Sequence, residues 1–102
     1  MRAVALSMPL VIPKRRIYKK TKGNYTYYTI YIPQDFNDLI PIPAFITIII
    51  GNETLKLGVR RPFKVGREKY AIILSKELAS IWERLIKESI EVTLVLEPIS
   101  SQ

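Results

Sequence analysis

The chain contains neither cysteine nor histidine. Without thiols it can form no disulfide and no thiolate metal site, and without imidazole it lacks the commonest metal ligand and the usual proton shuttle. Acidic residues are scarce: nine Asp and Glu stand against sixteen Lys and Arg, for a formal net charge of +7. A carboxylate pair that works as acid and base needs one member held protonated in a pocket. Asp35 with Asp38, and the series Glu77, Glu83 and Glu88, instead have the spacing of charges on the surface of helices. These absences predict a protein that is not an enzyme and has no cofactor or metal. No apolar run approaches the roughly 20 residues of a spanning helix; the longest, "PIPAFITIII", covers residues 41–50. The opening "MRAVALSMPLVIP" sets Arg2 before an apolar run as a signal sequence does. It lacks a small-residue cleavage site, so it is read as structure, and the expected location is intracellular, in the cytoplasm of the host cell.

What is present suits one folded unit. At 102 residues, 48% hydrophobic and 25% charged, the composition predicts a single compact domain, residues 1–102. The excess positive charge favours an acidic partner such as nucleic acid or an anionic protein surface. Its distribution says more: twelve of the sixteen basic residues fall between Lys14 and Lys22 or between Lys56 and Lys69, with Glu68 the one acid among them.

Those two clusters follow an internal similarity. "LVIPKRRIYK", residues 10–19, and "LKLGVRRPFK", residues 55–64, share Leu, both Arg and the final Lys without a gap. Each block continues through a Gly-containing turn, at Gly23 and Gly66, into a β-type run, "YYTIYI" or "KYAIIL". Next come "PQDFNDLI" and "SKELASIW", in which Phe36, Leu39 and Ile40 match Leu78, Ile81 and Trp82, a spacing that makes one apolar stripe on a helix. Both copies close on β-branched strands, "ITIII" at residues 46–50 and "VTLVL" at 92–96. Ser75 is the expected N-cap of the second helix, while Pro33 opens the first and Pro41 and Pro43 stop it. The predicted fold is therefore α+β: two pseudo-symmetric ββαβ-like motifs from an internal duplication, residues 10–50 and 55–96, sharing one core. Two packed sheets should carry two helices over their apolar faces, with Phe36, Leu39, Leu78, Ile81 and Trp82 buried. A half of this size buries too little apolar surface to stand alone, and the second copy completes the core. The outcome is a pseudo-dimeric monomer or a homodimer.

The stretch "KGNYTYYTIYIPQDFNDLI", and more loosely "GREKYAIILSKELASIW", resembles the swapped-hairpin family of AbrB-like transition regulators. In that family two such motifs intertwine and arginines on one face bind DNA, which implies roles here for Arg15, Arg16, Arg60 and Arg61. This chain departs from the pattern at Leu74-Ser75, where the family's Ile-Pro is replaced. Over its whole length, the Ile-rich, Cys-free style and the two diverged motifs resemble small proteins of filamentous viruses of the hyperthermophile Acidianus. That likeness implies a viral protein in an archaeal host. Sixteen Ile and only five Asn plus Gln suit such a habitat.

Two sets of residues are candidates for binding. Tyr25, Tyr27 and Tyr31 alternate on one side of a strand whose other side carries Tyr28, Ile30 and Ile32. With Arg15, Arg16, Arg60 and Arg61 as a rim, the tyrosines predict a groove between the motifs that binds a protein or an extended acidic peptide by strand addition. The alternative is nucleic-acid binding by the basic hairpins, through Lys14, Arg15, Arg16, Lys19, Lys20, Lys22, Arg60, Arg61, Lys64 and Arg67. Lysines on an exposed strand also block aggregation without binding anything, and tyrosines stack bases only when they lie beside the basic cluster.

Overall fold

The computed structural model describes residues 8–99, so the first seven residues of the opening segment lie outside it. In chain order the strands are β1 (Leu10–Arg15), β2 (Ile17–Lys22), β3 (Tyr25–Ile32), β4 (Ala44–Ile50), β5 (Glu53–Arg60), β6 (Phe63–Val65), β7 (Lys69–Ile73) and β8 (Val92–Pro98). A 3₁₀ helix, Gln34–Leu39, joins β3 to β4; between β7 and β8 a 3₁₀ turn, Lys76–Leu78, runs into the helix α1, Ala79–Lys87. The fold is thus α+β, with two four-stranded antiparallel sheets in the orders β1-β8-β4-β5 and β2-β3-β7-β6.

Alternation along the strands places the core between the sheets. Ile46 and Ile48 of β4, Val92, Leu94 and Leu96 of β8, and Ile12 of β1 face Tyr28, Ile30 and Ile32 of β3, Ile17 of β2 and Ile72 of β7 in one continuous cluster. Fully burying such a side chain contributes about 1.5 to 3 kcal/mol, and β-branched residues suit the pleated surface. Period-two patterning therefore specifies the part of the interior that the strands supply.

The matched blocks are the strands that turn the corners between the sheets. β1 passes through Arg16 into β2, and β5 passes through Arg61 and Pro62 into β6, each pair crossing from the first sheet to the second. Such corners need a bend or bulge. In one block Lys14 adopts φ 60° and the β1–β8 register shifts between Ile12 and Arg15; in the other Gly58 takes φ 86° and the β4–β5 register shifts opposite it. Ile12 and Ile17 are buried on either side of the first corner, Leu57 and Pro62 on either side of the second. The arginine pairs sit where the chain leaves the core.

The helices depart from expectation. The first is a 3₁₀ helix with no buried residue, begun by Phe36 N–H donating to the Pro33 carbonyl at 3.0 Å. Short and bracketed by prolines, it ends at Leu39, and the extended backbone of Ile40 returns the chain to the core. Phe36 and Ile40 pack there, whereas Leu39, expected to be buried, is 62% exposed on the rim of an apolar cleft with Met8, Pro9 and Leu10. Leu39→Ala should therefore change stability by less than about 0.5 kcal/mol in a urea titration, the range of ordinary surface substitutions. Leu78 and Ile81 are half-buried, and Trp82 is buried completely, as expected. Ser75 precedes the second helical segment but makes no side-chain cap; its hydroxyl accepts a hydrogen bond from Arg60 at 2.7 Å.

Nor do the helical segments cover the sheets. α1 packs against β2 and sends Trp82 and Leu85 into the core, while the first helix packs against β7. Gln34 and Asn37 reach the turn before β7, donating to the side chain and the carbonyl of Glu68 at 2.6 and 2.7 Å. The helices plug the sides of the sandwich, and among the described residues neither covers the outward face of a sheet.

Candidate functional site

The outward face of the second sheet collects most of the chain's tyrosines. β2 and β3 are joined at Gly23 and Asn24, with Gly23 at φ 63°, and the hairpin pairs Lys22 with Tyr25, Lys20 with Tyr27 and Tyr18 with Thr29. β7 continues the layer with Tyr31 beside Ala71 and Thr29 beside Ile73, and β6 adds Phe63 and Val65. Paired residues share a face. Because Tyr28, Ile30 and Ile32 are buried inward, Tyr18, Lys20, Lys22, Tyr25, Tyr27 and Tyr31 must point away from the core.

On this face rings and ammonium groups alternate. Tyr18 and Tyr31 form a tilted pair with centroids 5.4 Å apart, and Tyr25 and Tyr27 a stacked pair at 5.9 Å. Lys20 and Lys69 place their Nζ atoms 5.5 and 5.3 Å from the Tyr31 centroid, and Lys76 lies 4.8 Å from that of Tyr25. Cation–π attraction holds such cations at a ring without neutralising them. Hydrogen bonding and charge interaction with Tyr31 raise the Lys20 pKa above its ordinary value, so its positive charge is secure at neutral pH. Beside Tyr18 and Tyr31 a polar cleft of about 300 Å³ is lined by Lys14, Arg15, Arg16, Lys69 and Glu91.

The expected site residues divide accordingly. Tyr25, Tyr27 and Tyr31 share the face with Lys20 and Lys22, and Arg15 and Arg16 adjoin it at the first corner, where Arg15 donates to the Tyr31 carbonyl at 3.3 Å. Arg16 lies 3.9 Å from Glu91. The other expected rim residues are elsewhere: Arg60 is bound to Ser75 just past β7, Arg61 is exposed at the second corner, and Arg67 is exposed in the β6–β7 turn. Lys64 points opposite to Phe63 and Val65. The predicted groove between the halves is corrected as well, since β3 pairs with β7 and β4 with β8. Continuous backbone ladders close both junctions, and the tyrosines lie on an open face instead. Among the described residues no cluster of three acidic side chains gathers to hold a metal.

Lys19 is turned the other way and belongs to a structural clasp. Its Nζ lies 2.8 Å from Glu83 Oε2 of α1, and the Tyr28 hydroxyl donates to the same oxygen. Hydrogen bonds from Lys19 and then Tyr28 hold the Glu83 pKa below its ordinary 4.5; the bond to Glu83 raises Lys19 above 10.5 and Tyr28 above 10.0. A depressed carboxyl contributes stability above its unfolded pKa and loses it as pH falls through the folded value. Raised Lys and Tyr values contribute below their unfolded pKa and lose it as pH rises through the folded ones. The clasp thus supports α1 from just above pH 4.5 to about pH 10 and weakens on both sides. In thermal melts, Glu83→Gln should lower Tm across that window and converge with wild type in acid; a gap that persists unchanged at low pH would refute the clasp.

Three contributors escaped sequence reasoning: Tyr18, Lys69 and Lys76. A signal for Tyr18 existed, because a two-residue turn at Gly23-Asn24 pairs residues whose numbers sum to 47 and so sets Tyr18 in phase with Tyr31. Lys69 and Lys76 come from the other half, and only the β3–β7 pairing brings them near. No family model matches the chain, and no curated protein or solved structure matches it either.

Proposed function

We propose that the chain is a non-enzymatic nucleic-acid-binding module whose contact surface is the outward face of the second sheet. The observation that carries this reading is the position of Lys20 and Lys69 on either flank of Tyr31, with Arg15 and Arg16 beside them. Cations on a solvent-exposed face neutralise phosphates and release counterions. Three phosphate contacts predict a fall in affinity of about twentyfold on a single strand, or about fortyfold on a duplex, between roughly 50 and 200 mM salt. Shift assays at those two concentrations, on wild type and a Lys20→Ala, Lys69→Ala double variant, test it: the variant should bind more weakly and with a shallower salt slope. Absence of binding at low salt would end the reading.

The architecture fits an internal duplication of the swapped-hairpin kind. Exchanging the halves maps each sheet order onto itself, because β1 trades with β5, β2 with β6, β3 with β7 and β4 with β8. The pairings β1–β8 and β4–β5 then join the first strand of each half to the last strand of the other, which supports intertwined copies of one motif.

A second reading, peptide binding, draws support from the far edge of the same face. Phe63 and Val65 of β6 and Ile73 of β7 are 39%, 36% and 45% exposed, and among the described residues no further strand pairs with the outer side of β6, a three-residue edge strand. An extended peptide could add there, its side chains resting on this apolar strip.

A further inference from the structure

The proposed contact face also carries features that distinguish one form of nucleic acid from another. Tyr18 and Tyr25 are 46% and 54% exposed, and each has a second ring against it, Tyr31 at 5.4 Å and Tyr27 at 5.9 Å. A ring supported in this way is already ordered and loses little side-chain freedom when its open side is covered. Tyr27 and Tyr31 are four residues apart on β3, about 13 Å at the rise of a strand, so the two ring pairs are separate platforms. An ammonium group stands over one ring of each platform within 5.5 Å of its centroid, Lys20 and Lys69 over Tyr31 and Lys76 over Tyr25, so a base that stacks on Tyr25 must displace Lys76 from the ring toward the backbone. Rings and charges therefore lie within about 5.5 Å of one another on a single face.

A double helix cannot use that arrangement. Its base faces are hidden in the stack, and it meets a flat surface with a ridge of phosphates, to which the tyrosines could donate their hydroxyls while their ring faces gained no stacking. A single strand presents unstacked bases and phosphates at one depth, and every base has a π-face to offer. We infer that this face binds single-stranded nucleic acid, stacking bases on Tyr18 and Tyr25 while Lys20, Lys69 and Lys76 take the neighbouring phosphates. The inference rests on the nucleic-acid reading above and narrows it to one form of the ligand. Deoxyribose and ribose strands share the chemistry of recognition.

The test uses fluorescence anisotropy on the full chain with labelled oligothymidine and oligouridine of about 12 nucleotides, within the range that one small β domain covers. A duplex of equal length, an abasic strand of equal phosphate number and a polyglutamate peptide complete the set. Tyr18→Ala and Tyr25→Ala are exposed substitutions, and Tyr18→Phe and Tyr25→Phe keep the rings; circular dichroism checks that each variant is folded. The expected result is tighter binding of the single strands than of the duplex or the abasic strand. Each alanine should weaken single-strand binding about tenfold, within the measured range for base–aromatic stacking, and each phenylalanine should restore it. A preference for one of the two single strands would identify whether DNA or RNA is the better ligand and would support the inference either way. Equal affinity for all the nucleic acids, unmoved by the alanines, overturns stacking while leaving the nucleic-acid reading in place. Binding of polyglutamate alone overturns both in favour of an acidic peptide.

Discussion

Trp82→Ala should destabilise the protein by about 3 to 5 kcal/mol, the range for removing a large aromatic side chain from a core. Trp82 is the largest fully buried side chain, at 0% exposure, and its position in α1 lets it reach the cluster formed by both sheets. Its indole Nε1–H also donates to the Ser75 carbonyl at 2.7 Å, tying the helix to the segment that follows β7. Alanine removes the packing and leaves that carbonyl without its partner. Trp82→Phe reduces the packing loss, because it keeps most of the volume, and deletes the donor; about 1 to 3 kcal/mol of the loss should then remain. With total stability of about 5 to 15 kcal/mol for a domain of this kind, urea titration resolves both steps. A loss under about 1 kcal/mol for alanine would show that the helix is a surface attachment.

Ile48→Ala should cost about 2 to 5 kcal/mol, and Leu94→Ala a similar amount. These two residues are direct partners across β4 and β8, both fully buried, at the centre of the first sheet where the halves of the chain meet. The cavity left by either substitution opens against the other, so their effects should not add. A double-mutant cycle should return a coupling of about 0.5 to 3 kcal/mol. Val95→Ala is the control, since Val95 is on the outward side of β8 and only half-buried. Additive losses at positions 48 and 94 would mean that the central ladder does not carry the contact between the halves.

The strands were the most legible part of the sequence. Tyr28, Ile30 and Ile32, like Ile46 and Ile48, alternate with polar or less buried neighbours, and the structure buries them between the sheets. The helices were less so, because the stripe through Phe36, Leu39 and Ile40 presumes an α-helical turn. The prolines around residues 34–39 leave room only for a 3₁₀ helix that ends at Leu39. Of the candidate site, the tyrosine face was readable from period two and its basic company only in part. Lys20 and Lys22 lie in the same hairpin as the rings, whereas Arg60, Arg61, Lys64 and Arg67, similar in sequence to the first cluster, are carried elsewhere by the second corner and the β6–β7 hairpin.

Composition and periodicity by themselves determined that this chain builds β-strands around one apolar core, with the exposed side of β3 lined by tyrosine. These properties follow from local rules: which side chains avoid water, and which side of a pleat each occupies. Tertiary structure alone decided that β3 lies against β7, that α1 plugs a side of the sandwich instead of covering a face, and that Lys69 and Lys76 stand beside Tyr31 and Tyr25. Strand order depends on the pairing of segments some 40 residues apart, as in Thr29 with Ile73. No local preference encodes that distance; it is set by the one arrangement that buries the apolar sides of both halves together.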